Sequence, residues 1–179
     1  MAQLGVPYML IGGLAVSSWG EARATLDVDL TIWVDLQDVD SIVSRICSRL
    51  TELPKEPVPF VRRTRVLPIV SQSNIRVDLI FAIFAALHDE KHMIDRAQPK
   101  PIAGTVVMVP SVEDLLYMKL ASERPKDLED CRALLRRFGR TLDRDYLEPR
   151  IRVLAEGLAR PDILTIYHDE VGEPGDARA

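Results

Sequence analysis

The 179 residues are 47% apolar and 28% charged, which excludes a wholly disordered or fibrous chain and suits one globular domain or a core with a small appendage. With 23 basic against 27 acidic residues the net charge is -4, so no general attraction to nucleic acid or to anionic membrane follows. Cys47 and Cys131 have no CxxC spacing and are too few for a disulfide framework or a zinc ribbon, in keeping with a reducing cytoplasm. The apolar start from Val6 to Val16 has no basic residue ahead of it, the first being Arg23. It is also shorter than the ~20 apolar residues that span a bilayer. The chain is read as cytoplasmic, with no membrane partner.

Tyr8-Met9-Leu10-Ile11 predicts a strand that stops at Gly12-Gly13, and Leu14 to Trp19 predicts a short helix. From Leu26 to Val34 the pattern alternates, with Leu26, Val28, Leu30, Ile32 and Val34 on one face and Asp27, Asp29, Thr31 and Trp33 on the other. Helical spacing follows from Asp35 to Leu50, and Pro54, Pro57 and Pro59 are expected to end that helix. Val61 to Val70 and Asn74 to Phe81 are expected as two strands joined by Ser71-Gln72-Ser73. Ala82 to Ala97 reads as helical and Thr105 to Val109 as a further strand. Beyond Pro110 the pattern turns helical. Ser111 stands as a cap with Asp114 three residues on, Pro125 marks a second helix start, and shorter helices cover Tyr146 to Leu158 and Ile163 to Tyr167. The fold class is α/β (α+β), a mixed-sheet core over residues 1–109 with a helical appendage over 110–171 in the same compact unit, and a disordered tail over 172–179.

Asp27 and Asp29 share a strand face among core residues, and Asp78 lies within Ile75-Arg76-Val77-Asp78-Leu79-Ile80-Phe81, where a charge has little structural reason to be. Like charges held together at half-buried positions cost repulsion and desolvation, which a divalent cation removes. Oxygen ligands with room for phosphate oxygens suit Mg2+, or Mn2+ in its place. Ordinary structure offers another account of each residue taken singly: Asp27 capping a turn, Asp29 pairing with Arg23, Asp78 pairing with Arg76. Gly12-Gly13 adds a turn whose backbone N–H groups can approach an anion at a helix start.

Gly12-Gly13, thirteen residues, and then Asp27-Val28-Asp29 resemble the signature of the DNA polymerase beta-like nucleotidyltransferase superfamily, with Asp78 in Val77-Asp78-Leu79 matching its third carboxylate. Arg23 to Leu30, Glu113-Asp114-Leu115-Leu116-Tyr117-Met118-Lys119-Leu120 and Arg124 to Asp130 are similar to the small bacterial AbiEii-type toxins, so the resemblance covers roughly Val6 to Leu135. It implies a nucleotidyltransferase that moves a nucleoside monophosphate from an NTP to a hydroxyl of a tRNA, a protein or a small molecule, releasing pyrophosphate. It also implies the toxin of a toxin-antitoxin pair, hence an antitoxin partner. Catalysis in such sites rests on positioning and on charge stabilisation by two metals ~3.5–4 Å apart. By resemblance Asp27, Asp29 and Asp78 hold the metals, and Asp78 accepts the acceptor's proton. Gly12, Gly13, Arg23 and Thr25 face the nucleotide, Lys119 binds its triphosphate, and Asp127 positions Lys119 or the acceptor. Two departures stand out: Met1 lies only a few residues before the first strand, where relatives carry a helix, and Gly13 replaces a common serine. If the short start spoils the site, the chain is instead a degenerate nucleotide- or partner-binding regulator with the same fold.

Val112, Leu115, Leu116 and Lys119 recur at helical spacing, which puts an ammonium on a core-facing stripe; a snorkelling lysine at the stripe's edge is the other account. Asp127 and Asp130 also read as acids favoured near a helix start. His88 and His92 have zincin spacing, but Asp89 stands where a glutamate is needed, and an exposed helix face is the reading. Arg132, Arg136 and Arg140 share a helical face, and Arg62, Arg63 and Arg65 cluster elsewhere. These arginines suit either an RNA acceptor or a solvated surface, with no interleaved aromatics to stack bases.

Overall fold

The fold is that of a computed structural model, which describes residues 1, 4–20, 25, 27–52, 54–71, 73–83 and 89–172. The chain divides into two compact units, Met1–Ser18 with Ala22–Pro110 and Trp19–Glu21 with Ser111–Ala179. The first holds a mixed five-stranded sheet in the order β1-β2-β5-β4-β3. Its strands are β1 (Tyr8–Ile11), β2 (Val28–Val34), β3 (Thr51–Glu52), β4 (Val66–Val70) and β5 (Arg76–Ile83). Only β2 and β5 run parallel, and the other pairs are antiparallel. Helix α1 (Gly12–Ser18) follows β1 directly. A short 3-10 turn, Leu36–Asp38, leads into α2 (Val39–Cys47), and α3 (Pro57–Thr64) precedes β4. After β5 come α4 (Asp89–Asp95) and the hairpin of β6 (Gln98–Ile102) and β7 (Thr105–Val109).

One sheet face is the core. Ile32 and Val34 of β2, Leu79 and Phe81 of β5, and Leu67 and Ile69 of β4 are buried there against Ile42, Val43 and Ile46 of α2 and Val61 of α3. Alternation then forces Asp29, Thr31, Arg76 and Asp78 onto the opposite face. Helix α1, with Ala15 and Val16 buried, packs beside β1 and β2.

The sequence reading is corrected in two places. Residues 61–64, expected to open the strand Val61 to Val70, instead belong to the helix Pro57–Thr64, because Pro57 occupies the first helical turn, where its missing N–H costs nothing. That helix ends at Arg65 in the left-handed conformation, φ 59°. Residues 82 and 83 continue β5, and the expected helix is confined, among the described residues, to Asp89–Asp95. Gln98–Ile102, on which no sequence expectation rested, is a strand despite Pro99 and Pro101, because among the described residues it pairs with β7 alone and a two-stranded edge tolerates missing donors. The Ser71–Asn74 turn joins two antiparallel strands as expected, with Asn74 N–H donating to the Ser71 carbonyl at 2.9 Å.

The second unit is helical: α5 (Val112–Leu120), α6 (Pro125–Phe138), α7 (Arg144–Gly157) and α8 (Asp162–Val171). Ser111 caps α5 as its sequence predicts, its Oγ accepting from Asp114 N–H at 3.1 Å and donating to Asp114 Oδ2 at 2.9 Å. The other Asp114 oxygen accepts from the Tyr146 hydroxyl of α7 at 2.6 Å, so a fully buried carboxylate is satisfied across two helices. Leu115, Leu116, Leu134, Ile151 and Tyr167 form the interior. No helix among the described residues is long and apolar enough to cross a membrane. Residues 173–179, where a tail was expected, lie outside the described residues.

Candidate active site

The parallel register of β2 and β5 sets Asp29 directly opposite Asp78, and both are half-buried. Ile11, the last residue of β1, is the antiparallel partner of Asp29 on its other side. The next residue, Gly12, has φ +68° and starts α1. A side chain cannot stand there: a Cβ on Gly12 would overlap Asp29 Oδ2 and lie 3.0 Å from its Cγ. The strand-glycine-helix junction therefore exists in this form because the Asp29 carboxylate occupies the space a larger residue would need. Gly13 is buried, and a Cβ there would meet Thr25 Cβ at 3.1 Å. Thr25 Oγ1 in turn donates to the Asp27 carbonyl at 3.4 Å, a long bond. Gly12, Gly13, Thr25, Asp29 and Asp78 thus come together in the first unit.

Asp27 does not join the ladder. The strand begins at Val28, one residue after it, because the β1 pairing ends at Ile11–Asp29 and the β5 pairing at Val28–Val77. Among the described residues no strand pairs with the chain beyond that point, and Asp27 stands exposed. Among the described residues no three His, Cys, Asp or Glu side chains converge as a ready cage for a metal ion. The in-register carboxylates and the glycine cradle beside them nevertheless fit a hard cation in donor chemistry. Arg23 lies outside the described residues, as does His88 of the histidine pair, whereas His92 is exposed.

Arg76 went unassigned in the sequence beyond its possible pairing with Asp78, and that pairing is present. Its Nε donates to Asp78 Oδ1 at 3.2 Å and its Nη2 to Oδ2 at 3.4 Å. The i, i+2 spacing on a strand that places both on one face was the signal for it.

Lys119 and Asp127 belong to the second unit. Lys119 is buried and does not snorkel, its ammonium paired with Asp127 Oδ1 and, at 2.9 Å, with Asp130 Oδ2. Asp127 Oδ2 also accepts from Ser122 Oγ at 2.7 Å and from Arg124 Nε at 2.6 Å. Burial pushes the Asp127 carboxyl up, but hydrogen bonds from Lys119 and Ser122 and the charges of Lys119 and Arg124 outweigh it and hold the group below its ordinary 3.8. A depressed carboxyl stabilises the fold above its unfolded value of about 3.9, and the contribution is lost as pH falls through the lower folded value. Acid unfolding is therefore expected to separate wild type from Asp127→Asn. The variant starts less stable at pH 7, and its stability falls less steeply than that of wild type below about pH 4. Parallel pH profiles would show that Asp127 carries no such linkage.

Cys131 is no nucleophile: burial pushes its thiol up to about 12. Of the basic clusters, Arg62 pairs with Asp40 at 2.8 Å and Arg136 with Glu170 at 3.4 Å, as on a solvated surface. A cavity of about 410 Å³ lined by Trp33, Asp35, Asp38 and Ser41 lies at the far end of β2 from Asp29.

A mixed sheet with paired carboxylates beside a strand-glycine-helix turn, joined to a helical unit, defines a nucleotidyltransferase fold of the polymerase beta type. The model of the family described as "Nucleotidyl transferase AbiEii toxin, Type IV TA system" matches residues 2–171, and the chain belongs to that family. Nucleotidyl transfer is the chemistry of the family. No curated protein matches the chain. Among solved structures it is similar to an antigenic nucleotidyltransferase-like protein from Paracoccidioides brasiliensis, with 18% identity and TM-score 0.53 over 95% of this chain and 88% of that one. It is also similar to the antibiotic-resistance factor ANT(2'')-Ia in solution, with 16% identity and TM-score 0.52 over 94% and 90% of the two chains. At these identities the likeness is one of fold.

Proposed function

We propose that the protein is a Mg2+- or Mn2+-dependent enzyme that transfers the NMP of an NTP to a hydroxyl acceptor and acts in the cytoplasm as the toxin of a toxin-antitoxin pair. What supports this reading is the row Ile11–Asp29–Asp78 with Gly12 beside it. Asp29 and Asp78, with Asp27 ahead of the strand, would hold the cations. When bound, these supply charge neutralisation at the phosphates and a lower pKa for an attacking hydroxyl. An Asp78 oxygen takes the proton from the acceptor hydroxyl, whose oxygen bonds to the α-phosphorus while the bond to the β-phosphate breaks and pyrophosphate leaves. Gly12 and Gly13 offer backbone N–H groups, and Thr25 a hydroxyl, to the phosphates. Arg23, Lys119 and Asp127 stay in the proposal on the family resemblance alone, as phosphate ligands and a positioning acid. The acceptor is a tRNA, a protein or a small molecule, and the expected partner is an antitoxin protein.

Each NTP labelled at the α-phosphate, with Mg2+ and either total tRNA or cell lysate, tests this. Wild type is expected to leave label covalently on one acceptor, and the Asp27→Ala, Asp29→Ala double variant to leave none. The exposed Asp27, outside the ladder, favours a second reading, a nucleotide- or partner-binding regulator without turnover. NTP binding with Mg2+ but no transfer selects it, and the absence of both overturns the site.

A further inference from the structure

Arg76 and a divalent cation would compete for the Asp78 carboxylate. The guanidinium lies alongside Asp78 with one N–H toward each carboxylate oxygen, at 3.2 and 3.4 Å. Both contacts are long beside the ~2.7–2.9 Å of a tight charge-assisted bond, so the pair is weakly held. Arg76 is 57% exposed in its side chain against 24% for Asp78, so water can replace the carboxylate around the guanidinium at little cost. Asp78 lacks that freedom, because its backbone is fixed between β2 and β4 in a continuous ladder.

We propose that Arg76 is a positioning residue that neutralises Asp78 against Asp29 and must release it before a divalent cation is bound through Asp78. The inference rests on the metal site proposed above and adds to it a competitor carried on the same strand. Its role follows from three constraints. Asp29 and Asp78 stand opposite each other in register on one face, so their like charges repel and a cation beside Asp78 relieves that repulsion. The strand repeat puts position 76 on their face, one step along. An arginine, unlike a lysine, can hold both oxygens of one carboxylate from that position.

Mn2+ titration followed by the electron paramagnetic resonance of the free ion, without nucleotide, tests this on the full chain. Arg76→Met is expected to tighten Mn2+ binding by about fivefold, the fold-change equivalent of losing one exposed ion pair. Arg76→Lys should fall between it and wild type. In an Asp78→Asn background Arg76→Met should change nothing, because the contested oxygens are gone. Equal Mn2+ affinity in wild type and Arg76→Met overturns the inference, as does the same tightening in the Asp78→Asn background, which would mean a general field effect. If no form binds Mn2+, the metal site falls and this inference with it. Because Arg76 is exposed at the first position of β5, folding of its variants is not at stake.

Discussion

Replacing Gly12 by alanine is expected to lower nucleotidyl transfer by about a hundredfold or more, the usual consequence of moving a catalytic group by an ångström. The added methyl cannot coexist with Asp29 Oδ2, so either the carboxylate swings away from Asp78 or the turn opens. The left-handed φ of +68° adds roughly 1–2 kcal/mol for any residue with a Cβ. Gly5 separates these two costs. It has φ +64° but nothing within 4 Å of an added Cβ, so Gly5→Ala carries the backbone strain and should leave transfer unchanged. Gly13→Ala should fall between them, because Thr25 at 3.1–3.3 Å must give by only a few tenths of an ångström. Transfer rates and melting temperatures of the three variants check the ranking. A Gly12→Ala protein working at the wild-type rate would show that Asp29 is not held where the transfer needs it.

The features that could be read in the sequence are those that one local rule fixes. Alternation from Val28 to Val34 put the carboxylate on the face away from the core, and the apolar run around Asp78 marked it as a charge needing a reason. Ser111 followed by Asp114 announced its helix in full. What stayed hidden depends on pairing between distant segments. Nothing local says that β2 lies parallel beside β5, so the opposition of Asp29 and Asp78 could not be read from either strand alone, and the strand expected from Leu26 begins only at Val28, which leaves Asp27 outside the ladder. Pro57 opens a helix where it was expected to close one, and Pro99 and Pro101, on which no expectation rested, sit in a strand, because a proline reports a missing donor and not which structure lacks it. Arg76 and Asp130 were visible as spacing, but burial and distance make them partners of Asp78 and Lys119.

The largest loss of stability is expected from Lys119→Met. That substitution keeps the volume and the apolar stem but leaves Asp127 and Asp130, 1% and 8% exposed, facing each other without the ammonium between them. Breaking a buried ion pair from one side typically costs about 3–5 kcal/mol, because the remaining charge is desolvated and unpaired. For a chain of this size that corresponds to a drop in melting temperature of roughly 10 °C. Arg124 and Ser122 still hold one Asp127 oxygen, so the cost should fall on the Asp127 and Asp130 oxygens that faced Lys119. Adding Asp130→Asn to Lys119→Met should therefore recover more than half of the loss, while Asp130→Asn alone should cost less than Lys119→Met because Lys119 keeps Asp127. Denaturant unfolding of the single and double variants measures this coupling, and labelled-NTP transfer on the same proteins gives a separate reading of catalysis. A rescued fold that still fails to transfer would place Lys119 in the chemistry as well as in the packing. A Lys119→Met loss below about 1 kcal/mol would instead mean that the ammonium is solvated, as for an exposed pair.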